Sequence, residues 1–146
     1  IEVATAIAAE IGAERTAIRL SPGITLWGID EGEQGPALYR HLVAELDKLG
    51  LAYLHVMHQG DESLLGEIRT LWHSPLILNR PGRAREQIGA DLAAGLADLE
   101  AYGQMVLANP DFVERLKTGA PMSPADPATF FGGDRKGYID YQTLNV

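Results

Sequence analysis

The apolar residues of this chain switch repeatedly between a helical and a strand period, and that alternation limits the fold more than anything else in the sequence. Val3, Ala6, Ile7 and Ile11 recur at helical spacing until Gly12, and Thr16 to Pro22 is a short β-rich run closed by proline. Leu38, Leu42, Val43, Leu46 and Leu49 return to the helical period before Gly50, and Leu51 to His58 is an apolar run of strand length. A further amphipathic helix spans Asp61 to Trp72, a strand follows at Pro75 to Leu78, and Arg83 to Gly95 supplies a third crossover helix. The last repeat, Ala97 to Leu116, reads as a buried strand, a turn at Gly103 and a short helix that Asn109 caps, with Pro110 at its first position.

Strands and helices alternating at such short spacing predict a parallel α/β sheet with right-handed crossovers. Strands are expected near 16–20, 52–57, 75–78 and 98–102, with helices outside and an apolar inner face. Four parallel strands standing alone would need both faces covered and would leave two edges unpaired. As half of an eight-stranded barrel, the same edges become seams where the other half docks. The expected organisation is one unit, 1–146, with βα repeats over 1–119 and a Pro- and Gly-rich tail over 120–146 that runs as ordered loop.

Length and charge exclude several classes of function. A chain of 146 residues suits one domain, and its net charge of −8 argues against nucleic acid or an anionic membrane surface as partner. No apolar run approaches the length of a membrane span, no charged-then-apolar leader opens the chain, and cysteine is absent, so a cytoplasmic protein is expected. The first residue, Ile1, is already in helical register with no initiator Met or capping residue, and so reads as cut from something longer.

A few residues invite a chemical role. Arg19 alone breaks the apolar character of its strand, and a charge there is either an ion-pair partner or a ligand contact at the end where barrels place their sites. His55 and His58 lie three apart on one strand and so point to opposite faces, which argues against a shared metal. The loops Asn79 to Gly82 and Gly103 to Met105 offer backbone N–H groups, and a strand, a glycine turn and a helix start together make an anion cradle. Trp27 either packs on the barrel rim or covers a pocket.

Tyr102-Gly103-Gln104-Met105-Val106-Leu107-Ala108-Asn109-Pro110-Asp111 resembles the segment that closes the barrel of the Old Yellow Enzyme family of FMN-dependent alkene reductases, aromatic-Gly-Arg-Pro-Phe-(Leu/Ile)-Ala-Asn-Pro-Asp. Ile18-Arg19-Leu20-Ser21-Pro22 is similar to that family's fifth strand, and Tyr53-Leu54-His55 to its sixth. Asp126 to Gly133 and Gly137 to Tyr141 are similar to its C-terminal Asp-Pro-x-(Thr/Ser)-Phe-Tyr-Gly-Gly and Gly-Tyr-(Thr/Ile)-Asp-Tyr-Pro. Gln104 stands where the family has arginine, Phe131 where it has tyrosine, and Gln142 where it has proline.

The resemblance implies strands five to eight of a TIM (β/α)8 barrel, the C-terminal half of an enzyme that passes hydride from NADPH or NADH through FMN to an activated alkene. It implies that Arg19 meets the pyrimidine side of the flavin, that Asn79, Arg80, Gly82, Gly103 and Gln104 lie around its phosphate, and that Trp27 and Phe131 line the substrate side. Arg80 is expected to replace the arginine missing at Gln104, with Arg83 and Arg85 pointing away. The catalytic His pair and the proton-donating tyrosine would precede Ile1, and His55 with His58 is not that pair. The isolated chain is then expected to be inactive, and to associate with the N-terminal half or with itself. The alternative is a non-catalytic half-barrel that has lost flavin and serves as a structural partner.

Overall fold

Four strands, β1 (Ala17–Leu20), β2 (Tyr53–Met57), β3 (Leu76–Asn79) and β4 (Leu99–Ala101), pair in parallel in the order in which they occur along the chain. A doubly wound sheet would reverse its strand order partway; a barrel adds each new strand beside the last. The expected strands therefore form, in the expected direction, and each lies within a residue or two of its sequence bounds. The computed structural model describes residues 1–144, divided into two compact units, 1–101 and 102 onward.

In the first unit, the pleat sorts the side chains. Leu54, Val56, Leu76 and Leu78 are buried on one face, where Val43 and Leu46 of α2 (Gly35–Asp47) and Leu64, Leu65 and Ile68 of α3 (Glu62–Leu71) pack on them. Trp72, 2% exposed, closes this core and donates its indole N–H to the Pro75 carbonyl at 3.0 Å. Asp61 starts α3 by accepting the Ser63 N–H at 2.8 Å. The opposite face is not the apolar surface expected. By alternation it carries Arg19, His55 and Asn79 among Tyr53, Met57, Ile77 and Leu99.

α1 (Glu2–Ile11) contributes only Ala4 and Ala8 to the core; Val3, Ile7 and Ile11 form an exposed stripe. The third crossover differs from the helix expected over Arg83 to Gly95. It is a 3-10 turn at Arg85–Gln87 and one helical turn, α4 (Ala90–Ala93), because Gly89 between them adopts φ 84, a left-handed conformation no helix continues through. β4 is not the buried strand expected either. Leu99 is 54% exposed, and among the described residues β4 has a hydrogen-bonded neighbour on one side only.

The second unit holds α5 (Gly103–Ala108) and α6 (Phe112–Thr118). Gly103 opens α5 instead of making a turn, and α6 starts after Asp111, so neither Asn109 nor Pro110 takes its expected helix-start position. Asn109 is fully buried: its amide donates to the carbonyls of Met105 and Ser123, and its oxygen accepts the Ser123 N–H. Arg115 pairs with Asp111 at 2.6 Å and donates to the carbonyls of Pro121 and Gln142. Through these two side chains the helices hold Pro121, Ser123 and Gln142.

Candidate functional site

Arg19 and His55 are direct register partners on neighbouring strands, so both side chains rise from the same row of the inner face. Arg19 is exposed, and among the described residues no carboxylate or carbonyl is recorded on its guanidinium. Burial pushes the His55 imidazole below its ordinary pKa, and the Arg19 charge pushes it further in the same direction. His55 is therefore neutral near pH 7. Its Nε2 is buried without a hydrogen-bond partner among the described residues.

Asn79 ends β3 on that same face, one row further along. Its side-chain amide donates to the Ala101 carbonyl at 2.8 Å, tying β3 to β4, while its own carbonyl accepts the His58 N–H at 2.9 Å. Gly82 follows in an exposed turn at φ 74, closed by the Arg83 N–H on the Arg80 carbonyl at 3.3 Å. A side chain at 82 would meet no atom within 4 Å, so its backbone is open to approach.

Arg80 is spoken for. Its Nε and one terminal nitrogen hold Asp91 in a two-pronged pair at 3.1 and 2.9 Å, and its other nitrogen holds Glu62. Arg83, expected to point away, is drawn onto Asp91 as well and reaches Glu100 at 3.3 Å. Glu100 in turn accepts the N–H groups of Gly89 and Asp91. Burial raises the Asp91 carboxyl, but Arg80 and Arg83 outweigh it and hold the group below the usual carboxylate range. His58 lies beside this network, 3.5 Å from Glu62, with both ring nitrogens buried and unbonded; burial keeps it neutral despite that carboxylate.

The sequence held no signal that paired Arg80 and Arg83 with Asp91, because the partners lie on separate short segments that only the turn at Gly89 brings together. The Arg19 and His55 pairing was within reach: two parallel strands in register place the one polar residue of each side by side. In the second unit, Gly103 and Gln104 are exposed at the start of α5, and Phe131 is 79% exposed. The Trp27 side chain lies outside the described residues.

A flavin can be tested against these residues. At the inner face the fit is good, since a free guanidinium beside an unbonded ring nitrogen suits the acceptor-rich pyrimidine edge of an isoalloxazine. At Arg80 two carboxylates already balance the charge a phosphate would need.

No family model matches the chain. Along 99% of its length it is 34% identical to 12-oxophytodienoate reductase 2 of Arabidopsis thaliana, covering 41% of that protein. Along 96% it is 32% identical to a Leishmania infantum protein named "Probable flavin mononucleotide-dependent alkene reductase", covering 39% of it. Among solved structures, morphinone reductase in complex with tetrahydroNAD superposes with a TM-score of 0.85 at 37% identity, over 99% of this chain and 40% of that one. The old yellow enzyme from Trypanosoma cruzi gives 0.85 at 30% identity, over 99% and 39%. The chain thus spans about two fifths of the length of the curated relatives it matches.

Proposed function

Because this chain belongs to the Old Yellow Enzyme family, as half of its TIM barrel, we propose that it is the C-terminal part of an FMN-dependent ene-reductase. The observation that carries this is Arg19, an unneutralised cation on the inner face of a parallel half-barrel. Bound FMN would supply hydride transfer from NADPH or NADH to an alkene activated by a carbonyl or nitro group. Arg19 would offset negative charge at the pyrimidine edge of the cofactor. At the end of β3, Asn79 fixes the strand terminus and the open backbone at Gly82 would hold the phosphate, which Arg80 would join only by releasing Glu62. A cofactor role for Gly103 and Gln104, and a substrate-side role for Trp27 and Phe131, rest on the resemblance of their segments alone. No catalytic residue is assigned within 1–146, so the isolated chain is inactive and needs the N-terminal half. A cytoplasmic setting belongs to the same proposal; among the described residues no helix is long and apolar enough to cross a membrane.

The test is flavin content and affinity. The full-length protein should purify yellow, or turn so on adding FMN, and Arg19→Met should weaken FMN binding by about 1.5–3 kcal/mol, the loss of a hydrogen bond to a charged group. A full-length protein that stays colourless and binds no FMN would leave a non-catalytic barrel as the answer.

A further inference from the structure

We propose that His55 is a second flavin-contacting residue of this chain, its Nε2–H donating to the same cofactor edge that Arg19 faces. The inference rests on the flavin reading above and adds a residue to it.

Three observations converge. Arg19 and His55 face each other across β1 and β2 on the inner face, at the roughly 4.8 Å spacing of adjacent strands, so a planar ligand meeting one of them lies over the other. The next residue along the row, Ile77 on β3, has no polar atom, so Nε2 has no acceptor on that side. Nε2 is nonetheless buried and unbonded among the described residues. Buried ring nitrogens are nearly always satisfied, so the partner comes from outside them. Charge decides the kind of partner. With its imidazole held neutral by burial and by Arg19, His55 offers one N–H and no second positive charge. A neutral donor beside a guanidinium fits an edge that carries several acceptors over which negative charge spreads, such as N1 and the C2 carbonyl of a flavin. His58, the other buried histidine, lies past the end of β2 and has the Glu62 carboxylate 3.5 Å from its Nε2.

The full-length protein, stripped of flavin and titrated with FMN, tests the assignment. His55→Phe should raise the FMN dissociation constant about five- to tenfold, the range of a single net hydrogen bond. It should also move the flavin midpoint potential to more negative values, while His55→Gln, which keeps an N–H, should recover most of both. If Arg19→Met weakens FMN binding but His55→Phe changes neither constant nor potential, the role of His55 is refuted and the flavin reading stands. If neither variant affects binding, the flavin reading itself fails. Should His55→Phe not fold, the unaltered protein still decides: the 15N signal of His55 Nε2 should shift on adding FMN. A signal that is the same with and without FMN would show that a residue elsewhere in the barrel satisfies the ring, and would overturn the proposal.

Discussion

Asp91 is the residue on which the end of β3 depends. It is 3% exposed and shared by Arg80 and Arg83, whose side chains are themselves mostly buried, so removing it leaves these two desolvated cations with only Glu62 and Glu100. Asp91→Ala should cost about 3–5 kcal/mol in urea denaturation, the range for breaking a buried pair by deleting one partner. The linkage has a definite sign. Because the folded carboxyl titrates below its unfolded value near 4, the stability it contributes is full above that pH and is lost as pH falls through the depressed folded pKa. An acid limb that is the same in Asp91→Asn and in the unaltered protein would contradict this. Arg80 can serve a phosphate only by exchanging Glu62, the more exposed of its two carboxylates, while keeping Asp91. Glu62→Gln should then tighten FMN binding, and Arg80→Ala should weaken it by roughly 1.5–3 kcal/mol. Unchanged FMN affinity in both Glu62→Gln and Arg80→Ala would remove Arg80 from the cofactor site.

At the scale of elements, caps and turns fix where each repeat begins. Asp61→Ala removes the side-chain cap of α3 and should lower stability by about 1 kcal/mol, read as a drop in melting temperature. Gly23 is stricter. At φ 75, with the Gln59 carbonyl oxygen 2.9 Å from any added Cβ, it lets the loop after β1 pass close to the loop after β2. Gly23→Ala should cost about 1–3 kcal/mol, and a variant as stable as the original would show that one of these loops yields. Where periodicity ran over many residues, as in α2 and α3, the sequence was enough to place the element, because an apolar stripe of that length fits only one secondary structure against a sheet. It was not enough after β3. There Gly89 interrupts a segment whose composition favours helix, and a glycine inside a helical pattern does not announce whether it will be tolerated or turn the chain. The inner face was misjudged for a related reason. Alternation shows which residues share a face, but Arg19, His55 and Asn79 each look like an isolated exception until strand register sets them side by side.

For the whole molecule, the sheet ends are the dominant fact. Among the described residues β1 and β4 each have one hydrogen-bonded neighbour, and Leu99, Val3, Ile7 and Ile11 are exposed. A chain with such edges should not remain a monomer by itself. Sedimentation of residues 1–146 should show association that grows with concentration and is suppressed by adding the N-terminal half; a single monomeric species across a wide concentration range would count against the seams. The order β1-β2-β3-β4 has another consequence, for synthesis. β2, β3 and β4 each pair with the strand made just before them, so each repeat can settle on its predecessor as it leaves the ribosome, without waiting for a distant partner. The outer edges of β1 and β4 have no such neighbour among the described residues, and it is there that the chain is most open to pairing with the wrong molecule.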